Sequence, residues 1–293
     1  MMRVCAIVQA REGSTRLPGK ALIDVTGKPA LERVIERLRA SKTLDDIIIA
    51  TTINERDDCI AQLCEKLGCS YFRGSEEDVL TRVLEAAKKF EVDIICEITA
   101  DCLLLDWNHI DHLVNLFLEG DYDHVSNIIE RTFPRGYDIR VFSREALERT
   151  DKECDNFVDR THCSTWQYLN PKGKLNYKVQ NWVAPPEQNR PDIEVTLDTP
   201  EDLSLIRFIY GFEGQGYNQE LTCQQVIHII DSYPDMYAKV AKIKRKDYFE
   251  ELRDVYAIFD QKSDKDFRID KEELGAIKKD ETNRKPGRPP KKI

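Results

Sequence analysis

The 293-residue chain lacks any apolar run near the ~20 residues that a bilayer span requires. Its opening, MMRVCAIVQAREG, meets charge too early for a secretion signal. The expectation is a cytoplasmic protein with no membrane partner. An excess of positive charge is missing too: 44 Lys and Arg face 53 Asp and Glu, a net −9. That balance excludes general nucleic-acid binding through the bulk of the chain. Cysteine is plentiful, but paired patterns are not. Cys5, Cys59, Cys64, Cys69, Cys96, Cys102, Cys154, Cys163 and Cys223 contain no CxxC and no zinc-ligand spacing. Their odd number disfavours a disulfide framework, and most lie in apolar runs, where a reduced thiol acts as a small hydrophobe. Internal repeats are also missing.

What is present is an ordinary globular composition, 41% hydrophobic and 33% charged. The length suggests one large domain or two smaller ones, with a sizeable core. The first half alternates strand and helix patterns. Residues 3–10 (RVCAIVQA), 46–52 (DIIIATT), 70–73 (SYFR) and 93–101 (DIICEITAD) read as strands. Helical periodicity marks 29–40, 56–67, 77–90 and 109–118, with Pro29 near one start and Gly68 as a C-cap. This alternation predicts an α/β fold, a mostly parallel sheet with helices on both faces. Ligands then lie beyond the carboxyl ends of the strands, along a rim holding the loops after Ala10, after Thr52 and at Asp101.

Residues 121–183 are less regular and predict an excursion of sheet and loop over that rim, with a strand at 137–142. Residues 193–197 (IEVTL) read as a returning strand. The DTPED stretch from Asp198 then opens a helix running to Tyr210, and 223–231 forms another.

The stretch VQAREGSTRLPGKAL, 8–22, carries the first chemical signal. It fails as a P-loop, which requires G-x-x-x-x-G-K-[ST]: five residues separate Gly13 from Gly19, and Ala21 follows Lys20 where a hydroxyl should stand. Phosphate still suits it. The two glycines admit close backbone N–H approach, and a following helix would add partial positive charge. Arg11, Arg16 and Lys20 supply three cations within ten residues. A solvated basic loop would use the same residues, and phosphate binding is the better account.

Two carboxylates are natural partners for a phosphate-bound Mg²⁺. Asp101 ends a strand on the same rim, and Asp198 follows another. Asp198 would also serve as a helix N-cap, a role that Thr199 can take in its place.

Together these stretches resemble the cytidylyltransferases, including the CMP-sugar-acid synthetases, and are closest to the spore-coat polysaccharide (SpsF-like) branch. YFRGSEEDVLTRVLEAAKKF, EITADCLLLD, FPRGYDIRVFSREAL and VTLDTPEDLSLI recur in that order, and the likeness spans roughly residues 3–237. The resemblance implies a Rossmann-like nucleotidyltransferase fold and transfer of CMP from CTP to an acceptor, with release of pyrophosphate. By motif position, Ala10, Arg11, Gly13, Ser14, Arg16 and Lys20 would cradle the triphosphate. Asp101 and Asp198 would carry Mg²⁺. Gly74, Ser75 and Asp78 would flank cytosine and ribose, with Arg82 reaching that region. The acceptor would be acidic or phosphorylated and small, and a homodimer is compatible with the family. The chain departs from the family's Asp-x-Pro-Leu at Asp101-Cys102-Leu103-Leu104, and from Arg-Glu-His at Arg160-Thr161-His162.

Smaller signals have blander readings. His109 and His112 are spaced as a metal pair without a third ligand, which favours surface histidines. Arg135, Asp138 and Arg140 suit either an anionic acceptor or an exposed charged strand. A nucleotidyltransferase domain is expected over 1–238, then a charged helical appendage over 239–280. Within the appendage, 259–274 resembles an EF-hand loop, but Lys262 and Phe267 occupy its first-ligand and turn-glycine positions. A disordered basic tail follows at 281–293, where RKPGRPPKK resembles an AT-hook. Nucleic-acid contact is therefore an expectation for the tail alone. The other readings of the whole chain are a nucleotide-binding protein that no longer turns over and a tethering protein that uses this tail.

Overall fold

The computed structural model describes residues 2–14, 16–154, 157–169, 177–216 and 221–244. The appendage and tail beyond Lys244, with their EF-hand-like and AT-hook-like stretches, lie outside the described residues. Strand β1 (Val4–Gln9) enters the phosphate-type loop, which leads to a short antiparallel pair, β2 (Asp24–Val25) and β3 (Lys28–Pro29). Then come α1 (Ala30–Arg39), β4 (Asp46–Thr52), α2 (Asp58–Leu67), β5 (Ser70–Gly74), α3 (Val79–Lys89) and β6 (Ile94–Thr99). The second half adds α4 (Trp107–Glu119), β7 (His124–Ser126), β8 (Arg140–Ser143), α5 (Arg144–Glu153), α6 (Phe157–Thr161), α7 (Trp166–Leu169) and β9 (Val179–Asn181). Helices α8 (Pro200–Tyr210), α9 (Cys223–Ser232) and α10 (Pro234–Tyr237) close the described chain.

The seven-stranded sheet has the order β5-β4-β1-β6-β8-β7-β9. Strands β4, β1 and β6 pair in parallel, as do β4 with β5 and β7 with β9, whereas β8 runs antiparallel to both its neighbours. The expected excursion thus widens the same sheet. Alternation along β1 divides the core. Val4, Ala6 and Val8 face α1, through Leu31, Val34, Ile35 and Leu38, while Cys5 and Ile7 face Leu80, Val83 and Leu84 of α3. Each fully buried aliphatic side chain contributes about 1.5–3 kcal/mol, so both faces are firmly covered. All nine cysteines are free thiols.

Because β4 and β5 lie on one side of β1 and β6 on the other, the chain reverses its winding between β1 and β6. Their carboxyl ends form the crevice where such sheets bind ligands, and the loop 10–20 and Asp101 open there.

Two expectations about the backbone are corrected. Residues 193–197 form an isolated bridge, Arg135 with Glu194, rather than a strand. The backbone pairs as Arg135 N to Ile193 O at 2.9 Å and Val195 N to Arg135 O at 2.8 Å. Pairing stops because Gly136, at φ +109°, turns the chain tightly against Val195. The phosphate-type loop also does not run straight into a helix. The β2–β3 pair intervenes, α1 begins at Ala30, and its dipole does not start at Lys20.

Candidate functional site

The loop leaving β1 lays its cations along the crevice. Gly19 adopts a left-handed φ of +72°, and Leu22 N donates to its carbonyl at 3.1 Å, closing the turn that presents Lys20. Lys20 Nζ then donates to Asp101 Oδ2 at 3.1 Å, Asp198 Oδ1 at 3.0 Å and Leu197 O at 3.2 Å. Arg16 Nη2 lies 3.0 Å from Asp198 Oδ2. Burial alone would lower the Lys20 ammonium, but Asp101 and Asp198 outweigh it and hold it above the usual lysine range. Asp101 is the mirror case: burial would raise it, yet Lys20 and the Thr99 hydroxyl hold it below the usual carboxylate range.

The carboxylates are placed by neighbours. Thr99 Oγ1 donates to Asp101 Oδ1 at 2.6 Å, and Leu197 N donates to Asp101 O at 2.9 Å, drawing the Asp198 segment to the end of β6. The N-cap of α8 is Thr199, in a reciprocal capping box with Asp202, which leaves the Asp198 carboxylate to the cations. The turn after Asp101 lacks the family's proline but is held from behind. Tyr210 Oη donates to Leu103 O at 2.6 Å, and Arg37 Nη1 to Leu105 O at 3.0 Å.

A second cluster forms at the other end of the loop. Arg11 Nη1 is 3.5 Å from Glu76 Oε1, and Arg56 also pairs with Glu76. A Cβ on Gly13 would come within 2.8 Å of the Arg56 guanidinium, so that glycine allows the close approach. Ala10 is buried at the loop's root, and Ser14 Oγ accepts from Leu17 N at 3.3 Å. Gly74 ends β5, and Ser75 Oγ accepts from Asp78 N at 3.0 Å. Asp78 caps α3 through Thr81 N at 2.9 Å, and its other oxygen receives Arg160 Nε at 2.8 Å. Buried Arg82 donates to Ser75 O beneath this loop. Burial and the neighbouring Arg11 charge push Arg82 down to about 10.

The structure thus brings Arg16, Lys20, Asp101 and Asp198 into one cluster, and Arg11, Gly13, Gly74, Ser75, Asp78 and Arg82 into an adjoining one.

A family model described as cytidylyltransferase matches residues 5–226. The chain belongs to the cytidylyltransferase family. Membership makes it a nucleotidyltransferase acting with CTP, and its fold is Rossmann-like. An uncharacterised protein of Methanocaldococcus jannaschii is 37% identical over 254 residues, covering 85% of this chain and 99% of that one. The spore coat polysaccharide biosynthesis protein SpsF of Bacillus subtilis is 29% identical over 245 residues, covering 80% and 97%. The solved structure of a cytidylyltransferase from Leptospira borgpetersenii matches with a TM-score of 0.75 at 30% identity, covering 84% of this chain and 100% of that one.

Several residues of this cytidylyltransferase's crevice were not singled out from sequence. Arg131 grips Asp138 with two 2.8 Å hydrogen bonds, which hold that partly buried carboxylate below its usual range against the effect of burial. Arg140 pairs across the sheet with buried Glu97, whose Oε1 accepts from Gln9 Nε2 at 2.6 Å. Arg135 lies 3.9 Å from Glu194. The charges of FPRGYDIRVF therefore face protein partners along the crevice. Arg56 and Glu76 carried only the weak signal of following strands on the rim side; Arg131 and Glu97 carried none.

Arg160 joins Asp78 to Thr81 Oγ1 at 2.8 Å and Asp151 Oδ1 at 2.7 Å, tying α6 to α3 rather than turning toward an acceptor. His109, expected at the surface, is buried instead: it and His112 pack around Trp182, and His109 Nε2 lies 2.7 Å from Gln188 Oε1. Among the described residues no three His, Cys, Asp or Glu side chains form a metal cage, and no helix is long and apolar enough to cross a membrane. A cavity of about 230 Å³ opens at the amino ends of β4 and β5, beside Arg39, Asp46 and Cys69, and shares none of the crevice residues.

Proposed function

We propose that this chain is an Mg²⁺-dependent cytidylyltransferase of the cytoplasm that moves CMP from CTP to a small acidic or phosphorylated acceptor for surface-polysaccharide synthesis. The observation that carries this reading is the Lys20 ammonium held between Asp101 and Asp198 where β1 and β6 end. The likeness to the spore coat protein supports the polysaccharide role. Arg11, Arg16 and Lys20 bind the triphosphate, and Gly13 and Ser14 bring backbone and hydroxyl donors close to it. Gly74, Ser75 and Asp78 shape the loop beside cytosine and ribose, with Arg82 holding that loop from below.

Asp101 and Asp198 fit a magnesium ion. They offer hard carboxylate oxygens from two chain segments that meet on the Lys20 ammonium, at 3.1 and 3.0 Å, and the remaining ligands would fall to phosphate oxygens and water. When bound, the ion neutralises phosphate charge and orients the leaving pyrophosphate. The chain's own part is positioning and charge neutralisation. Arg16 and Lys20 draw the β- and γ-phosphates toward the end of β6, which leaves the α-phosphorus open to in-line attack by an acceptor oxygen. That oxygen's bond to phosphorus forms as the bond to pyrophosphate breaks. The acceptor's anionic group lies toward β8 beside Arg135, the exposed cation of the Arg135, Asp138 and Arg140 set, and a homodimer is compatible with the family.

Pyrophosphate release from CTP, assayed over a panel of sugar acids and phosphorylated small molecules, tests the proposal. Turnover with at least one acceptor is expected, strongly preferred over ATP, and Asp101→Asn should reduce it by about 10³-fold. Full activity of Asp101→Asn would overturn the site, and no turnover with any acceptor would overturn the reaction.

A further inference from the structure

Both oxygens of each metal-type carboxylate already have a donor. Asp101 Oδ1 accepts from Thr99 and its Oδ2 from Lys20; Asp198 Oδ1 accepts from Lys20 and its Oδ2 faces Arg16. Lys20 spends all three ammonium protons here, at 3.0–3.2 Å. A magnesium ion taking the same two oxygens would compete with that ammonium for them, because each already accepts one of its protons.

Charge leads to the same conclusion. Lys20 and Arg16 together balance Asp101 and Asp198, so the pocket is locally neutral. A bare divalent cation would leave two uncompensated positive charges in a half-shielded site. A cation arriving with a triphosphate would not, because the phosphates give Lys20 and Arg16 a second anion. The lysine stem is flexible enough to carry the ammonium from carboxylates to phosphates while the backbone stays in place.

We propose that the Lys20 ammonium is a resident counter-cation that keeps divalent metal off Asp101 and Asp198 until nucleotide draws it away, so that metal and nucleotide enter together. This rests on the metal assignment proposed above. It gives Lys20 a second role beside phosphate binding: it holds the two carboxylates together in the nucleotide-free protein.

Mn²⁺ binding to the full-length, nucleotide-free chain, followed by the free-ion paramagnetic resonance signal, tests it. Wild type should bind weakly. Lys20→Met should bind about tenfold or more tightly, as expected from removing one positive charge within a few ångströms. Lys20→Arg should stay weak, and adding Asp198→Asn to Lys20→Met should abolish the gain.

Equal, Asp198-dependent binding by wild type and Lys20→Met would overturn the exclusion while leaving the metal pair standing. If neither binds Mn²⁺ and pyrophosphate release proceeds without divalent metal, the metal assignment falls and takes this inference with it. Should Lys20→Met fail to fold, acetylation of wild-type Lys20 read by mass spectrometry decides. Its rate should be unchanged by Mg²⁺ alone and altered by Mg²⁺ with a non-hydrolysable CTP analogue. A several-fold rise with Mg²⁺ alone would show displacement by bare metal and overturn the proposal.

Discussion

Lowering the pH from 7 to 5 should destabilise this protein through one histidine. His124, in β7, is fully buried, with its ring stacked 5.7 Å from that of Phe142. Its Nδ1 lies 2.8 Å from Gln167 Oε1, and Gln167 Nε2 donates to Thr150 Oγ1 at 3.1 Å. The amide thus offers its oxygen to the ring, so Nδ1 carries the proton and Nε2 is a bare lone pair. That Nε2 is buried and has no hydrogen-bond partner among the described residues. Protonating it would bury a charge and an unmet donor close to Arg140.

Burial, with the Arg140 charge, pushes His124 down to about 4, from about 6.5 in the unfolded chain. The unfolded chain therefore takes the proton first as pH falls. Stability from this group is complete above about pH 7, starts to fall near 6.5 and is fully lost below 4. Over the whole window the loss is about 3 kcal/mol; between pH 7 and pH 5 it is about 2 kcal/mol. Buried His109, also lowered, adds a loss of the same sign. Urea unfolding at pH 7 and pH 5 should therefore show a drop that is about 2 kcal/mol larger in wild type than in His124→Gln, which removes only this titration. Equal drops in the two proteins, or an NMR titration placing His124 near 6.5, would refute the reasoning.

Gly136→Ala should cost about 2 kcal/mol or more, because φ is +109° and the new Cβ would lie 2.9 Å from Val195 Cγ2 and 3.0 Å from its carbonyl carbon. An unchanged melting temperature would show that the Arg135–Glu194 bridge yields freely. Thr199→Ala removes half of the α8 capping box and should cost about 1 kcal/mol in urea unfolding. An unaltered midpoint would mean the cap contributes nothing.

The sequence by itself determined the first half of the fold, because those elements rest on local rules. Apolar runs such as IIIATT bury on both faces of a sheet, the periodicity of α1 and α3 needs only neighbouring turns, and Gly68 closes α2 at a left-handed φ of +60°. The cap of α8 was legible as a choice between Asp198 and Thr199, since a capping box is written within four residues. The cradle's cations and glycines were legible as a type of chemistry, through spacing and family likeness.

Only the tertiary structure decided the partners. Lys20 meets Asp101 and Asp198 from 81 and 178 residues away, and Arg160 reaches Asp78 across 82. Sheet order sets those meetings, and no local pattern encodes it. The failed strand at 193–197 has the same cause. Its alternation fits a strand, but Gly136 and the Asp101 turn leave it a single bridge to pair with. The Arg131–Asp138 pair was hidden for another reason: an arginine in a polar stretch looks solvated until a partly buried carboxylate is known to face it. Local chemistry named the groups, and the winding of the sheet between β1 and β6 chose which of them share one crevice.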